Sequence, residues 1–251
     1  MQLKIVNPRP DYSKAPLIEP TRLGYLYLAA SVRPSRIPWM LPSGTRSRLL
    51  RQMKQGAEEL ERLDGVLKAT VFRAIVRPQT ARFSGYLKER APSLRPANFD
   101  VLVLIETRTA EIAESLRRSS PFLTMRSVLE REASRVFIMT SRNAKRIADV
   151  DTSRRGLFLF NHFAADDARV MLQLWEYLAD WYEKETGLDN SVALVPRRKG
   201  SDYAVVNWAR WDESPLRHIW HQLSKKSFWN YVTANLEANH AGSMPIYCRL
   251  A

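Results

Sequence analysis

The chain has 251 residues, 45% of them hydrophobic, and a net charge of +13, enough material for two ordinary domains or one pair sharing a core. No apolar run approaches the roughly 20 residues of a membrane-spanning helix, and residues 1–20 carry prolines and charges where a secretory leader would be apolar, which predicts a cytoplasmic protein. The single cysteine, Cys248, excludes an intrachain disulfide and any cysteine-based metal cluster.

The charge is uneven. Residues 1–150 hold 27 Lys and Arg against 14 Asp and Glu, whereas residues 151–251 hold 12 of each. A surface of this kind attracts anionic partners, but the basic residues are dispersed and carry no recognisable nucleic-acid-binding motif.

In chain order, residues 24–30 read as a strand, 47–63 as a helix ended by Gly65, and 66–76 as a second strand. Residues 77–98 form an insertion rich in Pro and Arg. With the first 20 residues it is the expected mobile or partner-contacting part. A strand at 99–106, a broken helix at 109–118 and 121–132, and a strand at 135–140 complete the first half, and 141–155 reads as a polar linker.

The second half repeats the order. Residues 156–163 (GLFLFNHF) are a strand. Residues 165–186 form a helix with Met171, Leu174, Trp175, Leu178 and Tyr182 on one face, Asp166 as its cap and Gly187 as its left-handed stop. Strands at 191–196 and 202–211 flank a turn at 197–201. Ser214 and Pro215 open a helix whose Leu216, Ile219, Trp220 and Leu223 form an apolar face. After a break at 224–227 the stripe resumes with Phe228, Tyr231, Val232 and Leu236, and residues 244–250 are the last strand.

Strand, helix, strand, strand, helix, strand is the split β-α-β, or ferredoxin-like, arrangement. Residues 203–211 are apolar on both faces, so one face must meet helices and the other a second sheet. The predicted fold is therefore α+β: two ferredoxin-like units in tandem, an N-terminal basic one at 1–150 with the insertion and a C-terminal one at 151–251, their sheets packed as an α/β barrel within one chain.

The segment Asn207-Trp208-Ala209-Arg210-Trp211, then Trp220 nine residues on, then Ser227-Phe228, resembles the dimeric α/β-barrel superfamily. The similarity is closest to antibiotic biosynthesis monooxygenases and heme-degrading monooxygenases. In heme degraders a strand asparagine and a helix tryptophan line the pocket, places matched here by Asn161 and Trp220. The histidine that would ligate heme falls on Val232, so heme would need His218 or His221 instead.

Cofactor-independent oxygenases of the group need no bound cofactor. For them the resemblance implies Asn161 stabilising a developing enolate and His221 as base, with Trp211, Trp220, His218 and Asn207 contacting a small aromatic or hydrophobic substrate. Each has a plainer reading: a backbone-satisfied amide for Asn161, core packing for Trp220, surface positions for His218 and His221, and burial between the sheets for His162. The alternative function is a non-catalytic α/β-barrel scaffold that takes an acidic macromolecule on its basic half. Neither reading involves a membrane, and either is compatible with a monomer or a homodimer.

Overall fold

A computed structural model describes residues 1–8, 11–32, 44–80 and 83–251. The alternation in β1 (Gly24–Val32) and β5 (Leu157–Ala165) sets the architecture. Tyr25, Tyr27 and Ala29 point to one shared interior with Phe158 and Phe160, while Leu26, Leu28, Leu157 and Leu159 point outward under helices. Each half contributes four strands. The first half supplies β1, β2 (Val66–Val76), β3 (Val101–Thr107) and β4 (Ala133–Arg146). The second supplies β5, β6 (Ser191–Pro196), β7 (Val205–Trp211) and β8 (Ala241–Leu250).

The eight strands close into an antiparallel barrel in the order β1-β3-β2-β8-β5-β7-β6-β4. Each half contributes the ferredoxin-like order 4-1-3-2, so the two units meet along two seams. One runs through Phe72↔Leu250 and Ala74↔Cys248, the other through Ser141↔Pro196 and Asn143↔Leu194. The second seam corrects the expected linker: residues 141–146 belong to β4 despite their polarity, because closure needs backbone partners for β6 and does not depend on side-chain hydropathy.

Helices cover the outside. In the first unit α1 (Gly44–Glu61) buries Leu49, Met53, Ala57 and Leu60, and the broken helix forms α3 (Ala110–Leu116) and α4 (Ser120–Glu132). The insertion folds as α2 (Gly85–Arg90), with residues 81–82 outside the described set. In the second unit α5 (Ala168–Thr186) is capped by Asp167, whose carboxylate accepts from the Arg169 and Val170 amides, and not by Asp166 as the sequence suggested. Gly187, at φ 64°, stops it. Then come α6 (Pro215–Leu223), a π-helical turn (Phe228–Thr233) and α7 (Ala234–Ala238). Among the described residues no helix is long and apolar enough to cross a membrane.

The segments expected to be mobile or to meet a partner pack on the second unit of their own chain. Asn235 and Asn239 each grip the extended first residues: Asn235 accepts from Val6 N and donates to Val6 O at 2.8 and 2.9 Å, and Asn239 does the same with Lys4 at 2.8 and 2.6 Å. The insertion is tied down by Thr80, which donates to Ser243 O, and by the Tyr86 amide, which donates to Glu237 at 3.0 Å. It is further held by Tyr86 and Arg90, both of which donate to Asp166.

The barrel interior is filled with rings. Tyr27 stacks on Phe160, and Phe160 on Trp208. His162 lies fully buried among them, between the sheets as its alternation with Asn161 requires. Its Nδ1 faces the Met244 carbonyl at 3.3 Å and its Nε2 faces the Tyr27 hydroxyl at 3.0 Å. A carbonyl only accepts, so Nδ1 carries the proton and Tyr27 donates to Nε2. Burial holds the His162 pKa down to about 3.

The unfolded chain takes up that proton near pH 6.5 and the folded chain only near 3, so acid favours unfolding across this window. The His162 contribution is complete above about pH 6.5 and falls by about 1.4 kcal/mol per pH unit below it. His218, whose pKa burial also lowers, adds a slope of the same sign, so urea unfolding at pH 7.5, 5.5 and 4.5 should show a slope in the wild type that becomes shallower, by about 1.4 kcal/mol per pH unit, in His162→Gln.

Candidate functional site

Asn161 sits on the outward face of β5 between Leu159 and Phe163, pointing into the layer between the second sheet and its helices. It is 5% exposed, and its side-chain oxygen has no hydrogen-bond partner. A buried amide oxygen left unpaired costs about 1–3 kcal/mol, so the position is not explained by stability. It borders two adjoining cavities of about 110 and 30 Å³. Both are walled by Leu159, Asn161, Tyr182, Leu236 and Ser243.

A short polar network lies in the wall of the larger cavity. Tyr247 Oη donates to Gln222 Oε1 at 3.1 Å, and Gln222 Nε2 donates to Tyr182 Oη at 3.3 Å. Burial pushes both tyrosine hydroxyls far above their ordinary pKa, so both stay protonated. The Tyr182 oxygen is thus occupied as an acceptor, which leaves its own hydrogen for a group in the cavity. Glu237 is the carboxylate of the lining.

Part of the wall comes from the first unit: Pro78, Thr80, Phe83 and Ser84 of the insertion also line the cavity. At the entrance Phe83 meets Trp229 edge to face, ring centres 5.9 Å apart. Trp229 lies in the π-helical turn, a wider coil often found at functional sites, and its Nε1 donates to Leu223 O at 3.0 Å.

The residues expected from the sequence separate into four groups, one being His218, which is buried but borders neither lobe. Asn161 is at the cavity. Asn207 and Trp211 border only the smaller lobe, and their polar atoms are occupied: Asn207 Oδ1 accepts from Trp175 Nε1 at 2.9 Å and Ser191 Oγ at 2.7 Å, and Trp211 Nε1 donates to Thr186 Oγ1 at 3.3 Å. Trp220 and His221 are exposed and border neither lobe, Trp220 with 71% of its surface in solvent.

That last placement corrects the expected packing of α6. The helix turns His218 and Gln222 inward and Leu216, Trp220 and Leu223 outward. Inside, Gln222 satisfies two phenols that would otherwise be buried without partners, and His218 lies on the Trp211 ring, centres 4.4 Å apart. His218 is therefore no surface residue. Its pKa is depressed to about 4, chiefly by burial, and its Nε2 has no partner.

Heme does not fit this site. Val232, at the ligand place, is buried in the helix layer, no histidine borders either lobe, and a 110 Å³ cavity is far smaller than a porphyrin. Among the described residues no cluster of three His, Cys, Asp or Glu could hold a metal ion.

A closed eight-stranded barrel of two ferredoxin-like units, helices outside, is the α/β-barrel fold that the sequence resembled. No family model and no curated protein matches the sequence. Solved structures do match the fold. An anthrone oxidase-like protein superposes with a TM-score of 0.59 at 14% identity, over 93% of this chain and 94% of that one. A candidate monooxygenase of Fusobacterium nucleatum gives 0.55 at 9% identity, over 92% and 93%. One of Lactobacillus acidophilus gives 0.50 at 9% identity, over 90% and 94%.

The two asparagines should respond oppositely to substitution. Asn161→Leu removes a buried, unpaired amide oxygen and should raise unfolding stability by about 1 kcal/mol, whereas Asn207→Leu strands two buried donors and should cost about 2–4 kcal/mol. Urea unfolding at pH 7.5 checks both.

Proposed function

We propose that the cavity beside Asn161 binds a small aromatic molecule bearing a hydroxyl or carbonyl group, and that with such a substrate the protein acts as an oxygenase without a bound cofactor. The observation that carries this reading is the buried, unpaired Asn161 oxygen, which borders the same cavity as Tyr182. A dry core cavity of about 150 Å³ holds one benzene ring. The two lobes together approach that size, which favours a single ring over a polycycle unless the entrance opens.

The chemistry asks little of the protein. A ring-activated CH₂ group loses a proton, the resulting carbanion passes one electron to O₂, and recombination of the two radicals gives a hydroperoxide. Loss of water then leaves a carbonyl, so that CH₂ and O₂ become C=O and H₂O. Tyr182 would donate to the enolate oxygen and Asn161 would orient a substrate hydroxyl, preorganised donors being most effective in a dry site. Glu237 replaces His221 as the group in place to take the proton. Fold kinship with proteins described as monooxygenases supports the reading, without fixing the substrate.

The charge asymmetry supports a second reading, a non-catalytic scaffold that takes an acidic macromolecule on residues 1–150. Salt-sensitive retention on heparin that is lost on reversing first-half arginines would favour it.

The test of the first reading is calorimetric titration with simple phenols and with 2-indanone, a ketone with one aromatic ring and ring-activated CH₂ groups, followed by oxygen-electrode assays with 2-indanone. Binding by the wild type should weaken at least tenfold, about 1.4 kcal/mol, in Asn161→Leu and in Tyr182→Phe. Absence of binding at millimolar phenol would remove the proposal.

A further inference from the structure

Helix α6 exposes its apolar residues and buries its polar ones. Leu216, Trp220 and Leu223 are 79%, 71% and 44% exposed, while His218 and Gln222 are buried. Steps of four and then three residues are the seam spacing of two helices packed side by side. The apolar surface continues to the cavity entrance through Trp229, bonded to Leu223 O, and Phe83, packed on Trp229. Both rings are themselves exposed. Scattered single hydrophobics on a surface need no explanation, but a contiguous patch of this kind marks an interaction site.

The charges at the two ends of α6 indicate what covers it. Asp212 and Glu213 precede the helix, and Lys225 and Lys226 follow it; Asp212 pairs with Arg210 and Lys225 with Glu185 inside the chain, so Glu213 and Lys226 are the charges offered to a neighbour. A two-fold axis through Trp220 lays two copies of α6 antiparallel and sets Glu213 at the start of each against Lys226 at the end of the other. This is the self-complementarity that an isologous interface requires. An anionic membrane would instead draw the first half, where the whole +13 resides; residues 151–251 are neutral.

We propose that α6 is the interface of a homodimer, packed against α6 of a second copy of this chain. The covering helix lies over Leu223 and Trp229, so each copy roofs the other's cavity entrance. With a contact centred on a two-turn helix, the dimer falls in the small-interface class and dissociates in the micromolar range.

Sedimentation velocity of the full chain from roughly 1 to 100 µM tests this. The wild type should move from the 29.0 kDa monomer toward twice that mass. Trp220→Glu should stay monomeric throughout with an unchanged circular dichroism spectrum and melting temperature, since position 220 is exposed. Lys226→Glu should weaken association at least tenfold, and Lys226→Arg should preserve it. A wild type that stays monomeric across the range, or a Trp220→Glu variant that dimerises normally, would overturn the proposal. So would a monomer that pellets with phosphatidylserine vesicles in a Trp220-dependent way, which would assign the face to a membrane instead.

Discussion

Closure of the backbone hydrogen-bond network is the constraint from which the rest follows. A four-stranded sheet with one free face and two free edges would leave unpaired N–H and C=O groups and an apolar back in water. Here the second copy of the unit supplies both remedies within one chain, pairing β2 with β8 and β4 with β6 and filling the interior with Tyr27, Phe72, Phe160 and Trp208. Because that interior is occupied, enclosed open space lies outside the staves, in the layer where helices meet the sheet. The cavity beside Asn161 is in that layer.

Polar groups separate the two environments. His162 and Asn161 are neighbours in sequence and face opposite sides of one strand. The histidine is fully partnered, neutral and enclosed by rings, whereas the amide keeps an oxygen free. Along α6 a glutamine goes inward, bridging two phenols, and a tryptophan goes outward. Both departures from the simple rule of apolar inside and polar outside occur within one turn of the same cavity. Sequences break local rules where function or assembly repays the cost.

What could be read from the residues was what periodicity encodes. The runs at 24–30 and 156–163, the stripe of α5 and its stop at Gly187 were legible because strand and helix periods are local, and the two-faced apolarity of β7 pointed to a second sheet. Asn161 stood out as an amide among aromatics. The polar end of β4 was not legible, since its place depends on a seam partner about 50 residues away. Nor was the orientation of α6: a stripe names a face without saying which way it turns, and two tyrosines from distant elements decided it. Tyr182 was visible as a core residue, and its hydroxyl, which needs a partner when buried, was the overlooked signal. The wall formed by Pro78, Gln79, Thr80, Phe83 and Ser84 joins elements some 160 residues apart, beyond any pattern in a window.

That wall divides two tasks between segments with very different freedom to change. The staves of the barrel are locked by register, and a shift of one residue in any of them would turn every side chain to the wrong side. The loop carrying Thr80 and Phe83 is attached to β2 and β3 but shapes a chamber in the other unit. Its length is not fixed by strand register, as that of the staves is. The chamber beside Asn161 is thus shaped in part by a segment outside the repeat that supplies its other walls.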